Sequence, residues 1–218
     1  MDIKNIKLFI FDLDGLLLDT EIVYNKCWCE AAQYCGYNLT YENALNLRSL
    51  DSKLAQKYLF ELFGNNFNYT AVKQKRNELM KQKFSENGIK AKKGAKELLN
   101  YCKEHNYKIA IASASDESQI YEKLNIAGIY TKFDYIVSTK SLERGKPYPD
   151  IYIHTCNQLN VSPIDVLVLE DSPNGIKAAY NAGCNVIMIP DLTMPNPEIS
   201  YMITDTFNSL YDFLLILQ

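Results

Sequence analysis

The sequence predicts an α/β protein: a parallel sheet with helices on both faces, interrupted after its first strand by an all-helical insert. Three observations predict it. Five short runs rich in Ile, Val and Leu recur, "IKLFIFD" (6–12), "YKIAIAS" (107–113), "DYIVST" (134–139), "DVLVLED" (165–171) and "NVIMIP" (185–190). Amphipathic helical stretches separate most of them. The first run, however, is followed by about 90 residues with no comparable strand. Near-continuous apolar strands alternating with helices are the pattern of a sheet buried on both sides.

Taken in order, the 90-residue gap contains helix patterns at about 20–36, 51–63 and 69–86, and a structureless loop of that size is implausible in a compact domain. It reads as an inserted helical domain, with boundaries of 16–87 for the insert and 1–15 plus 88–218 for the sheet domain. After it, "GAKELLNYCKEHN" spaces Ala95, Leu98, Leu99 and Cys102 at helical intervals, and "YPDIYIHTCNQLN" does the same with Ile151, Ile153, Cys156 and Leu159. "SPNGIKAAYNAG" opens on Ser and Pro and stops at Gly183, as helix termini prefer. A closing strand or helix is expected at 201–217.

The chain has 218 residues, 47% of them hydrophobic, and a net charge of -3. It therefore has material for a sizeable core and no basic field to favour nucleic acid or anionic membrane. No run reaches the roughly 18 apolar residues of a membrane span. The first apolar segment is broken by Asp12 and Asp14 and lacks a small-residue cleavage site, unlike a signal segment. The six cysteines show no zinc-site spacing and read as reduced thiols. A cytoplasmic monomer acting on a small molecule is the expectation.

In such folds, ligands bind outside the carboxyl ends of the strands. Those ends carry Asp12 and Asp14, then Ser113 and Ser115, then Lys146 in the following loop, then Glu170 and Asp171. Each alone has an ordinary reading as a turn, a cap or a solvated charge. Together they place four carboxylates, hydroxyls and a lysine at one rim. Clustered carboxylates share protons or bind a cation, and oxygen-only ligands favour a hard ion such as Mg²⁺. With a lysine and hydroxyl donors, the set describes a phosphate site. Asp19, in "LLLDTE", reads instead as the cap of the helix beginning near Thr20.

"DLDG", "IASAS", "GKPYPD" and "LEDSPNGIKAA", in this order, resemble the four motifs of the haloacid dehalogenase superfamily of phosphotransferases. The resemblance implies a Rossmann-like core with a helical cap formed by the insert. It implies Asp12 as the nucleophile that forms an aspartyl-phosphate, kept ionised by Mg²⁺ and Lys146, and Asp14 as general acid and then base. Ser113, the Ala114 amide and Lys146 would hold the phosphoryl oxygens. Asp171 would be the firm Mg²⁺ ligand, Glu170 assisting, with one Asp12 oxygen and the Asp14 carbonyl.

Substrate choice would then reside in the cap, where Arg48 is the first candidate to contact the substrate, Lys53 the second, and Tyr24 a third at helical spacing from Thr20. The wording of the motifs is similar to that of β-phosphoglucomutase and the small sugar-phosphate phosphatases. Mutases of that group carry a histidine at the position of Tyr24 and a Lys-Asn pair where this chain has Asp116 and Glu117; two carboxylates would repel a second phosphate. The expectation is thus a hydrolase of small phosphorylated metabolites. A mutase is the second reading and a silent phosphate-binding protein the third. A dehalogenase would have no use for the Glu170–Asp171 pair.

Overall fold

The computed structural model describes residues 5–218. Six parallel strands form one sheet in the order β3-β2-β1-β4-β5-β6: β1 Leu8–Phe11, β2 Lys108–Ser113, β3 Tyr135–Ser138, β4 Val166–Glu170, β5 Asn185–Met188 and β6 Asp205–Thr206. The five expected strands are present, and the closing segment resolves into both β6 and a helix, α9 (Leu210–Leu217). β1 is central, Leu8 pairing with Lys108 on one side and Val166 on the other.

Side chains alternate across a strand, which divides the apolar runs between two cores. Phe9, Phe11, Ile109, Ile111, Leu167 and Leu169 face α5 (Ala95–Glu104), α6 (Glu117–Ile126) and α9. Leu8, Ile10, Ala110, Val166, Val168 and Val186 face α7 (Asp150–Leu159) and α8 (Pro173–Asn181). Burial on both sides explains why these strands lack polar alternation.

Between β1 and β2 lie α1 (Glu21–Tyr34), α2 (Tyr41–Leu45), α3 (Ser52–Phe63) and α4 (Tyr69–Asn87). Asp51 caps α3 by accepting from the Lys53 and Leu54 amides, Asn68 caps α4, and Gly64 and Gly88 follow their ends with positive φ. The short α2 was not expected; Thr40 caps it. Trp28, Ala31, Leu39, Leu47, Leu59, Phe67 and Val72 form a third apolar cluster confined to this helical block.

One assignment changes. Asp19 does not cap α1: Thr20 occupies the cap position, and its hydroxyl donates to Asp14 instead of accepting from the helix. Asp19 is exposed, 3.9 Å from Lys92.

The tight turn from Asp14 to Leu18, closed by the Gly15 amide on the Leu18 carbonyl at 2.8 Å, delivers the chain from the sheet into α1. Gly15 has φ +91°, and a Cβ there would strike the Asp171 carboxylate and Glu21. Gly15→Ala should therefore lose about 2 kcal/mol or more through left-handed strain and overpacking. A thermal melt should fall by at least about 4 °C for a domain of this size; an unchanged melt would show that the turn has a relaxed alternative.

Candidate active site

β1 ends in the middle of the sheet, so Asp12 leaves it among the carboxyl ends of β2 and β4. Its amide still donates to the Leu169 carbonyl at 3.1 Å, and its side chain is buried. Lys146, from the loop between β3 and α7, is 0% exposed. Its Nζ donates to Asp12 Oδ1 at 2.5 Å, Glu170 Oε1 at 2.5 Å and the Ala112 carbonyl at 3.0 Å. Burial alone would lower the pKa of this ammonium; Asp12 and then Glu170 hold it well above the ordinary lysine value.

Glu170 is satisfied by the protein. Tyr152 donates to Oε1 at 2.7 Å, while Oε2 accepts from the Asp171 and Ser172 amides and the Ser172 hydroxyl. Ser172 in turn caps α8 at the Gly175 amide. The residue expected to assist a metal thus anchors Lys146 and the β4–α8 turn. Asp171 differs: Oδ2 pairs with Arg48, and Oδ1 is buried without a partner.

Asp12, Glu170 and Asp171 each bring a buried carboxylate oxygen within 4.8 Å of the others. Burial, opposed by Lys146, pushes Asp12 up to about 7; burial, opposed by Arg48, pushes Glu21 up to about 8 and Asp171 well above the carboxylate range. An all-oxygen, self-repelling set with an unpartnered Asp171 oxygen suits a hard divalent cation.

Asp14 has the opposite environment. Burial would raise its pKa, yet Lys123 holds it below the ordinary value, with help from Thr20 and Ser115. Lys123 Nζ lies 2.9 and 2.8 Å from the two Asp14 oxygens and 2.7 Å from Ser115 Oγ, and it also donates to the Tyr24 hydroxyl. Thr20 and Ser115 donate to Asp14 as well, at 2.7 and 2.8 Å.

The cavity over this floor is lined by both the sheet rim and the helical block. Asp12, Asp14, Ser113 and Ala114 meet Tyr24 and Arg48 there. Ser113 Oγ accepts from the Ser115 amide at 3.1 Å, which leaves its proton free to donate. Arg48 is more engaged than a free substrate clamp would be: it pairs with Asp171, donates to Thr193 at 3.0 Å and lies 3.4 Å from Glu21. Lys53 does not line the cavity. It is exposed, because each helical residue turns 100° from the last and its neighbour Ser52 takes the inward direction. Of the pair invoked against a mutase, Asp116 lines the cavity, whereas Glu117, next along α6, faces away.

Sequence reasoning missed Lys123, Arg76, Lys73 and Lys140. The first sits one heptad after Asp116 on α6, in a pattern that reads as a solvated helix face. Nothing local distinguishes it.

The family model of haloacid dehalogenase-like hydrolases matches residues 9–189, and the chain belongs to that family. Its curated relatives include the phosphorylated carbohydrates phosphatase of Thermotoga maritima, 31% identical over 174 residues that cover 80% of this chain and 80% of that one. Hexitol phosphatase B of Escherichia coli is 26% identical over 86% of this chain and 85% of that one. Among solved structures, the β-phosphoglucomutase of Clostridium difficile superposes with a TM-score of 0.82 at 25% identity, covering 97% of this chain and 96% of that one. The chain is an enzyme, a phosphatase of this family.

Two outcomes follow. Asp12 and Glu21 are pushed up to about 7 and about 8 in the folded state, and Asp171 is raised in the same direction, so the stability they contribute is present below about pH 4 and is lost as pH rises, for Asp12 and Glu21 by about pH 8. Melting temperature in excess EDTA should fall across that window and recover with added divalent cation; a flat profile would mean the carboxylates are already neutralised. Lys123→Met should cost about 3–5 kcal/mol in denaturant unfolding, because it strands the Asp14 charge. A loss below about 1 kcal/mol would show that Asp14 finds water or another donor.

Proposed function

We propose that the chain is a Mg²⁺-dependent phosphohydrolase that cleaves small organic monophosphates, sugar phosphates included, through an aspartyl-phosphate on Asp12. The observation that carries this is Asp12 itself: a buried carboxylate at the end of the central strand, held by a wholly buried lysine, with Ser113 beside it and a cavity above. In this reading residues 1–15 and 88–218 form the core and 16–87 the cap.

Asp12, Asp171 and the Asp14 backbone carbonyl would hold the ion, Glu170 adding charge close by. When bound, Mg²⁺ supplies neutralising charge to the carboxylates and to the substrate phosphate. One Asp12 oxygen attacks phosphorus, the ester P–O bond breaks, and Asp14 delivers a proton to the departing alkoxide. Asp14 then accepts a proton from water as that water attacks phosphorus, which releases inorganic phosphate and restores Asp12. The Ser113 hydroxyl and the Ala114 amide bind the phosphoryl oxygens throughout, and Lys146 reaches one by giving up a partner among Asp12, Glu170 and the Ala112 carbonyl. Lys123 keeps Asp14 ionised in the present arrangement, so the acid role requires Asp14 to exchange that ion pair for the substrate. Six free thiols accord with a reducing, cytoplasmic setting.

Phosphate release from a panel of sugar, polyol and aryl monophosphates, with Mg²⁺ and with excess EDTA, tests the reading; isomer analysis of each sugar phosphate separates a mutase. Asp12→Asn should lower turnover by at least about 10⁴-fold, on the scale of losing a nucleophile, while its melting temperature stays level or rises as one repelling charge disappears. Turnover within tenfold of wild type would refute the assignment of Asp12.

A further inference from the structure

The cavity over Asp12 also carries a cluster of cations, Lys73, Arg76 and Lys140, for which no salt-bridge partner is found among the described residues. Ser52, the first residue of α3, lends one hydroxyl oxygen to two ammonium groups: Lys73 Nζ of α4 at 2.8 Å and Lys140 Nζ, from the 3-10 turn after β3, at 3.0 Å. Arg76, one helical turn beyond Lys73, lies with its guanidinium 4.5 Å from the centroid of the Trp28 ring, and it donates its hydrogen bonds to the side-chain Oδ1 of the neighbouring Asn77. Among the described residues, no carboxylate lies within 4.0 Å of Lys73, Arg76 or Lys140. All three line the same cavity as Asp12 and Ser113.

The nearby acids do not neutralise them. Asp51 spends Oδ1 on the Lys53 and Leu54 amides and Oδ2 on the Gly145 amide. Asp116, the residue before α6, acts on Lys73 but is exposed, and Glu21, which acts on Arg76, is pushed up to about 8 by burial and lies 3.4 Å from Arg48. Burial first, then Lys140 and Arg76, depress the Lys73 pKa, the effect of like charges crowded without a partner. Two ammoniums converging on one neutral oxygen are poised for an anion that both can reach.

We propose that Ser52, Lys73 and Lys140, backed by Arg76, form a second anion subsite, and that the substrate is a phosphomonoester carrying another anionic group, phosphate or carboxylate, at its far end. This rests on the phosphatase reading above. Because Ser52 and Lys73 belong to the helical block and Lys140 to the sheet domain, the distal anion also ties the two together over the reacting phosphate. That couples recognition of the far end to exclusion of water at the near one.

The test compares kcat/KM for matched pairs, fructose 1,6-bisphosphate against fructose 6-phosphate and 6-phosphogluconate against glucose 6-phosphate, with p-nitrophenyl phosphate as a substrate that has no distal anion. The wild-type ratio for at least one pair should be about tenfold or more, and the responding pair distinguishes phosphate from carboxylate. In the Lys73→Gln, Lys140→Gln double variant that ratio should fall to near one, whereas Lys57→Gln, an exposed charge outside the cavity, should leave it unchanged. A wild-type ratio near one in both pairs, with p-nitrophenyl phosphate still hydrolysed, overturns the subsite and leaves the phosphatase reading standing. If no phosphomonoester is hydrolysed, that reading falls, and calorimetric binding of the same pairs to Asp12→Asn protein decides the subsite by the same ratio.

Discussion

Lys146 is the point on which the rest depends. Its ammonium is fully withdrawn from water, which would be prohibitive for an isolated charge, and it is tolerated because Asp12, Glu170 and the Ala112 carbonyl surround it. The arrangement is reciprocal: each carboxylate is tolerated because the lysine is there. Glu170 is further locked by Tyr152 and the start of α8, so the lysine is aimed rather than merely buried. A rigid cation at the centre of the sheet then fixes where the Asp12 carboxylate points.

Charge also governs the junction between sheet domain and helical block. The helical block has an apolar cluster of its own, and although Phe84 of α4 packs on the sheet's core, the contacts that join the two at the cavity are polar: Arg48 with Asp171, Asn174 with the Arg48 carbonyl, Asp51 with the Gly145 amide, Lys123 with Tyr24. Such contacts can be exchanged for water or ligand at small net cost, unlike an interdigitated apolar face. The junction is therefore compatible with opening and closing, while Asp12, Glu170 and Asp171 stay on the rigid sheet.

The two aspartates of "DLDG" illustrate how environment separates identical side chains. Asp12 shares its lysine with Glu170 and is pushed up by burial; Asp14, two residues on, has Lys123 to itself and is held down. Neither state is the one its proposed role requires. A cation beside Asp12 and a leaving group beside Asp14 would reverse both, so the chemistry depends on loading the site.

By itself, the sequence determined the sheet, the helical insert and the rim residues Asp12, Asp14, Ser113, Lys146, Glu170 and Asp171. It could do so because strand periodicity is local and because parallel strands deliver their carboxyl ends to one edge, whatever lies between. Tertiary structure alone decided which rim residue is free to bind a cation, because Glu170 is taken up by Lys146, by Tyr152 of α7 and by the turn before α8, whereas the partner of Asp171 comes from the helical block. It also decided that Ser52 faces the cavity while Lys53 does not, that Lys73 and Arg76 of α4 meet Lys140 of the turn after β3 there, and that Lys123 is buried against Asp14. A lysine on a helix face carries no local mark of its destination; its role is set by packing across tens of residues of intervening chain.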